Sequence, residues 1–142
     1  MFEGSLESLR PTMEDIEAVL KHMPSSSCGI DDIPFEAYGG IRQLTSKTLT
    51  EVVDAMFDGT DAAPRDFNWA ILVCIGKESS ETLDTGEAVY TADSTRPISI
   101  VDASNRLIAS IFREALERCV THKISEMQRG FLKGRPMLRN II

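Results

Sequence analysis

Apolar residues recur at helical spacing in three stretches of this chain and run almost unbroken in two others. Ile16, Val19, Leu20 and Met23 share one face of a 3.6-residue repeat, which predicts a helix over residues 12–23. Thr12 with Asp15 three residues later is a capping-box variant at its start, and Pro24 ends it. His22 falls beside that stripe and reads as a surface or boundary histidine. Residues 35–38 predict a short helical turn broken at Gly39-Gly40. Ile41, Leu44, Thr48, Val52 and Met56, widened by Leu49 and Val53, predict a longer helix over residues 41–57, closed by Asp58-Gly59. A broad face of Leu107, Ile108, Ile111, Phe112, Ala115, Leu116, Cys119 and Val120 predicts a third long helix, capped by Asp102. Arg106, Arg113, Glu114, Glu117 and Arg118 are expected on its other side, and Cys119 in the core.

The unbroken runs predict strands. Residues 69–75 (Trp-Ala-Ile-Leu-Val-Cys-Ile) are too short for a core helix and rich in β-branched residues, so a buried strand is expected. Residues 98–101 predict a second buried strand that begins directly after Arg96-Pro97, where proline holds the preceding residue extended. Residues 78–95 between them are rich in Ser, Thr, Asp and Glu and read as a long, acidic, mobile loop joining two antiparallel strands. The fold class is therefore α+β: helix-rich, with a two-stranded antiparallel hairpin, in one domain spanning residues 1–142.

Composition narrows the class of protein. No apolar run approaches the ~20 residues of a membrane span, so no membrane partner is expected. The acidic start Met1-Phe2-Glu3-Gly4-Ser5-Leu6-Glu7 is unlike a signal peptide. Cys28, Cys74 and Cys119 are odd in number and far apart, which disfavours both a disulfide framework and a zinc site. The reading is intracellular, with nucleus and cytoplasm both open. The net charge of −7 is unevenly divided. Residues 1–94 hold 6 basic and 18 acidic residues, a net −12, and residues 95–142 hold 9 and 4, a net +5. The acidic part repels nucleic acid and the basic part attracts it, unless the two neutralise each other.

Two cations mark the strand ends. Lys77 closes the first strand and Arg96 opens the second, so an antiparallel hairpin brings them together at one end. Converging Lys and Arg suit a triphosphate. The bland alternative is two surface charges neutralised by the acidic loop. Asp31-Asp32 is a carboxylate pair, but serines precede it and Pro34 follows, so a turn ahead of a helix is expected rather than a metal-binding hairpin. The tail Gln128-Arg129-Gly130-Phe131-Leu132-Lys133-Gly134-Arg135-Pro136 combines backbone access, an aromatic and cations, the ingredients of a nucleic-acid contact.

In order and spacing these pieces resemble the N-terminal part of non-LTR (LINE-type) retrotransposon reverse transcriptases, from about Thr12 to Ile142. Met23-Pro24, Gly29, Asp31, Ile33-Pro34, Glu36 and Tyr38 match the family's first block. Pro64, Trp69-Ala70, Ile75 and Lys77 match its next strand. Arg96-Pro97-Ile98-Ser99-Ile100 matches "R-P-I-S-l", and Gln128, Gly130, Phe131, Gly134 and Arg135 match "Q-x-G-F-x-x-G-R". Ser26 stands where the family has lysine, Ile30 where it has proline, and Thr95 where it often has an aromatic residue.

The resemblance implies a fingers and early-palm fragment of an RNA-directed DNA polymerase, a nucleotidyltransferase. It implies that Lys77 and Arg96 contact the incoming nucleotide's triphosphate. It implies that Gln128, Gly130 and Phe131, with Lys133 and Arg135, lie near an RNA template and DNA primer. The complete enzyme is expected to use Mg²⁺ held by palm carboxylates from an "F-x-D" strand and an "aromatic-x-D-D" hairpin. Those motifs follow the last matched block in the family, so no catalytic or metal-binding residue is assigned here and the chain alone is expected to be inactive without the palm and thumb. Two other readings stay open: a non-catalytic nucleic-acid-binding remnant using the basic tail, and a helical protein-interaction module.

Overall fold

The computed structural model describes residues 6–128 apart from positions 24, 26, 27, 62, 78, 80 and 126. The described residues form four α-helices and a principal two-stranded sheet: α1 (Met13–Lys21), α2 (Phe35–Gly40), α3 (Arg42–Asp58), β1 (Ala70–Gly76), β4 (Thr95–Val101) and α4 (Ala103–Val120). Two short strands, β2 (Glu81–Thr82) and β3 (Ala88–Val89), pair within the segment that joins β1 to β4. The class is α+β, as the periodicity predicts.

The core lies among the helices. Ile16 and Leu20 of α1, Phe35 of α2, Leu49 and Val53 of α3, and Ala103, Leu107, Ile108 and Ile111 of α4 form one buried cluster. The start of α1 matches its sequence signature. The Asp15 N–H donates to Thr12 Oγ1 at 3.4 Å and the Thr12 N–H donates to Asp15 Oδ2 at 2.8 Å, a reciprocal capping box. Asp15 also receives the Arg118 guanidinium, so the carboxylate that starts α1 holds the far end of α4. Arg118, itself exposed, thus reaches across to α1.

The α3 face differs from expectation. Its buried residues are Thr45, Ser46, Leu49 and Val53, while Ile41, Leu44 and Val52 are exposed, Leu44 by 60%. Of the expected face, Leu49 and Val53 are buried and Met56 packs against the core, so the inward side is displaced toward that edge and away from Ile41, Leu44 and Val52. Small hydroxyl side chains let α1 and α2 approach closely and find partners there. Ser46 Oγ donates to Glu17 Oε1 at 2.9 Å, and Thr45 Oγ1 donates to the Tyr38 carbonyl at 2.9 Å. Gly59 ends α3 at φ 64°, its N–H returning to the Ala55 carbonyl, as its position predicts. The preceding helix, α2, ends at Gly40, the second glycine of the pair where a break is expected.

The strands also differ. All seven residues of β1 are exposed, and so are Arg96 to Ser99 of β4. The expected burial fails because an unbroken apolar run specifies an extended chain but not its cover. β4 starts at Thr95, before the Arg-Pro pair, and pairs with β1 from Ala70↔Val101 to Gly76↔Thr95. The joining segment is not structureless. Its β2–β3 pair turns at Gly86, φ 86°, and a 3₁₀ turn (Ala92–Ser94) leads into β4.

Ion pairs tie the helix ends together. Arg10 lies 4.5 Å over the Phe57 ring and bonds Asp58 and, at 3.1 Å, Asp54, while Arg42 bonds Glu17 at 2.8 Å. Hydrogen bonding from Arg10 holds the Asp58 carboxyl below its ordinary value, and Arg42 followed by Ser46 does the same for Glu17. A folded-state pKa below the unfolded value means the unfolded chain binds more protons near that pH. These contributions are complete above about pH 5 and vanish as pH falls through the lowered values. We expect the melting temperature to hold from neutral pH to about 5 and to drop below about 4, with a shallower drop in Arg10→Met. An identical acid limb in that variant would contradict the assignment.

Candidate functional site

The end of the β1–β4 hairpin is fixed by backbone bonds. The Lys77 N–H donates to the Ser94 carbonyl at 2.8 Å, extending the ladder one residue past β1. Ser94 is itself tied into the 3₁₀ turn, its N–H and Oγ both donating to the Thr91 carbonyl at 3.0 and 2.9 Å. Thr95 Oγ1 donates to the Ala92 carbonyl at 2.8 Å. Tyr90 folds over Gly76: a Cβ there would lie 2.3 Å from the Tyr90 ring.

The register places the two cations together. Arg96 is directly opposite Ile75, and Lys77 follows Ile75 by two residues. Both therefore stand on one face, as diagonal neighbours of the ladder, a separation of about 7–8 Å or somewhat less between β-carbons. The same face carries Ile71, Val73, Ile98 and Ile100, and Tyr90 covers the opposite one at Gly76. Lys77 Nζ lies 3.5 Å from the Asp93 carbonyl oxygen. Among the described residues no acidic side chain forms an ion pair with Lys77 or Arg96. The acidic residues Glu81, Asp84, Glu87 and Asp93 of the joining segment thus leave both cations available. Two exposed cations set side by side by the hairpin register suit a polyphosphate.

A second constellation was hidden from sequence inspection. The turn at residues 29–32 wraps the side chain of Asp102, which stands between β4 and α4. Asp102 Oδ1 accepts the N–H groups of Ile30 at 2.7 Å and Asp31 at 3.2 Å. Asp102 therefore clasps a distant turn rather than capping α4 with its side chain, as its position had suggested. Gly29 makes the clasp possible, since a Cβ there would fall 2.2 Å from Asp102 Oδ1 and 2.4 Å from Asp102 Cα. The Tyr38 hydroxyl is close by. Burial, with Asp31 and Asp102 near, pushes its pKa above the ordinary value, opposed by a hydrogen bond with Ser104. Arg106 lies 4.6 Å over the buried Phe35 ring, a cation–π contact in place of the expected solvent face.

The Asp31-Asp32 pair occupies a turn, as the flanking residues predict. Asp31 Oδ1 accepts the Ile33 N–H at 3.0 Å, and Asp32 has φ 55°. One Asp31 oxygen is thus committed to a backbone N–H, and among the described residues no three Asp, Glu, His or Cys side chains converge on one point. Gln128 lies beyond the end of α4, exposed, its N–H donating to the Ser125 carbonyl at 3.0 Å. Gly130, Phe131, Lys133 and Arg135 fall outside the described residues. No helix among the described residues is long and apolar enough to cross a membrane. No protein-family model matches the chain, and no curated protein matches it.

Proposed function

We propose that this chain is the fingers portion of an RNA-directed DNA polymerase of the non-LTR retrotransposon type, and that its hairpin end holds the triphosphate of an incoming nucleotide. The observation that carries this reading is the placement of Lys77 and Arg96 on one face, at one end of the β1–β4 hairpin, with no acidic partner among the described residues. Two motif blocks far apart in sequence also meet in space. Gly29 and Asp31 of the first sit on Asp102, directly after the Arg-Pro-Ile-Ser strand.

The chemistry on this reading is positioning. Arg96 offers a planar, permanently charged fork and Lys77 a movable point charge, a complementary pair for adjacent phosphates. Phosphoryl chemistry in such polymerases uses two metal ions held by carboxylates, and none of the carboxylates described here fits that part. The part proposed for Lys77 and Arg96 is therefore to bind and orient the nucleotide. Titration of a deoxynucleoside triphosphate at low salt tests the reading. We expect Lys77→Ala and Arg96→Ala each to weaken binding about tenfold, the loss of about 1.4 kcal/mol. Binding unchanged in both variants would overturn it.

A further inference from the structure

The hydrogen-bond phase of the β1–β4 ladder determines what its two outer edges offer. The Lys77 N–H donates to Ser94, so residues 77 and 94 form a hydrogen-bonded pair. Bonded and non-bonded pairs alternate in an antiparallel ladder. Ile75–Arg96, Val73–Ile98 and Ile71–Ile100 therefore turn their peptide groups inward. Ala70, Leu72, Cys74 and Gly76 turn theirs outward on β1, as Thr95, Pro97, Ser99 and Val101 do on β4. Pro97 thus stands where its missing N–H costs the ladder nothing and removes a donor from the middle of β4's outer edge.

The outer edge of β1 has no such protection. It is seven residues long, contains neither charge nor proline, and is exposed throughout, Leu72 by 65%. A long, uncharged, apolar edge is a template for another strand. A two-stranded ribbon with both faces in water is also marginal by itself.

We propose that β1 pairs antiparallel with β1 of a second copy of this chain, about a twofold axis at Val73, joining the two hairpins into one four-stranded sheet. Antiparallel self-pairing of a strand satisfies twofold symmetry. Only outward-turned residues can bond across the axis, and centring on Val73 engages every one of them: Leu72 with the other copy's Cys74, and Ala70 with its Gly76. No like charges meet along the uncharged strand. One step beyond it, Lys77 of each copy comes opposite Trp69 of the other, a cation against an indole that is 64% exposed, with Asp66 one turn behind it. The two ends of β1 are therefore chemically complementary when the strand is set against itself. This inference rests on the ladder and its edges, independently of the triphosphate reading, and is measured without nucleotide.

Two arms test it on the full chain. In sedimentation equilibrium up to about 100 µM, we expect a concentration-dependent dimer. Leu72→Pro, which removes an outward N–H and leaves the hairpin's own bonds intact, is expected to weaken dimerisation at least about tenfold. The second arm needs no proline. With Cys28, Cys74 and Cys119 replaced by serine, Val73→Cys places two thiols across the axis as a non-bonded pair, with α-carbons about 4.5 Å apart, within disulfide range. Mild oxidation is expected to join that variant into a dimer and to leave Ile71→Cys and Ile98→Cys monomeric. A chain that stays monomeric overturns the proposal. So does a dimer that cross-links through Ile71→Cys or Ile98→Cys rather than Val73→Cys, which would set the copies face to face or in another register.

Discussion

Replacing Ile111 with alanine is expected to lower the unfolding free energy by about 3 kcal/mol, the usual cost of a cavity in a packed core. Ile111 is 0% exposed and sits in the cluster that joins α1, α3 and α4. Nothing in that cluster can close over the lost side chain without moving a helix. The matching change on the sheet, Leu72→Ala, is expected to shift stability by less than about 0.5 kcal/mol, since Leu72 already faces water. The contrast matters because total stability in domains of this size is about 5–15 kcal/mol. Urea denaturation of the two variants separates the cases. Equal losses would mean that the sheet belongs to the core and that the edge of β1 is covered.

Gly29→Ala is expected to cost about 2–3 kcal/mol, although it adds one methyl group to a turn. The added carbon would fall 2.2 Å from Asp102 Oδ1 and 2.4 Å from Asp102 Cα. A side chain can rotate away from such a clash, but a backbone atom cannot, so the 29–32 turn must leave Asp102. Asp102 then loses the Ile30 and Asp31 N–H groups, and a carboxylate with lost donors is a further cost. Gly40→Ala is the control, with nothing within 4 Å of its added carbon. It is expected to be neutral or slightly stabilising through the unfolded chain. If the two glycines tolerate alanine equally in thermal melts, the clasp on Asp102 is wrong.

What the sequence could show divides by the range of the interaction. The capping box of Thr12 and Asp15 and the left-handed cap at Gly59 are settled within one turn of chain, and both are legible. The hairpin is legible because two apolar runs flank a polar segment, and with it the meeting of Lys77 and Arg96. Burial is not. Ile41, Leu44 and Val52 carry more apolar surface than Thr45 and Ser46, yet the smaller residues face inward. The expected and observed faces share Leu49 and Val53, and the close approach of α1 and α2 favours the side that carries Thr45 and Ser46. Asp102 shows the same ambiguity, because a carboxylate before a helix can cap it or reach elsewhere. Only the fold places the 29–32 turn within its reach. Arg118 belongs to the polar side of α4 by periodicity, but Asp15 lies beside it in space.

We propose that the hairpin end holds a triphosphate through Lys77 and Arg96. The most direct measurement is the affinity of a deoxynucleoside triphosphate for the unsubstituted chain, Lys77→Ala, Arg96→Ala and the double variant, each at low and high salt. The account predicts weakening in each single variant, a larger loss in the double, and binding that falls with salt in the unsubstituted chain, as exposed charges require. A nucleotide that binds all four chains equally, or none, would contradict it.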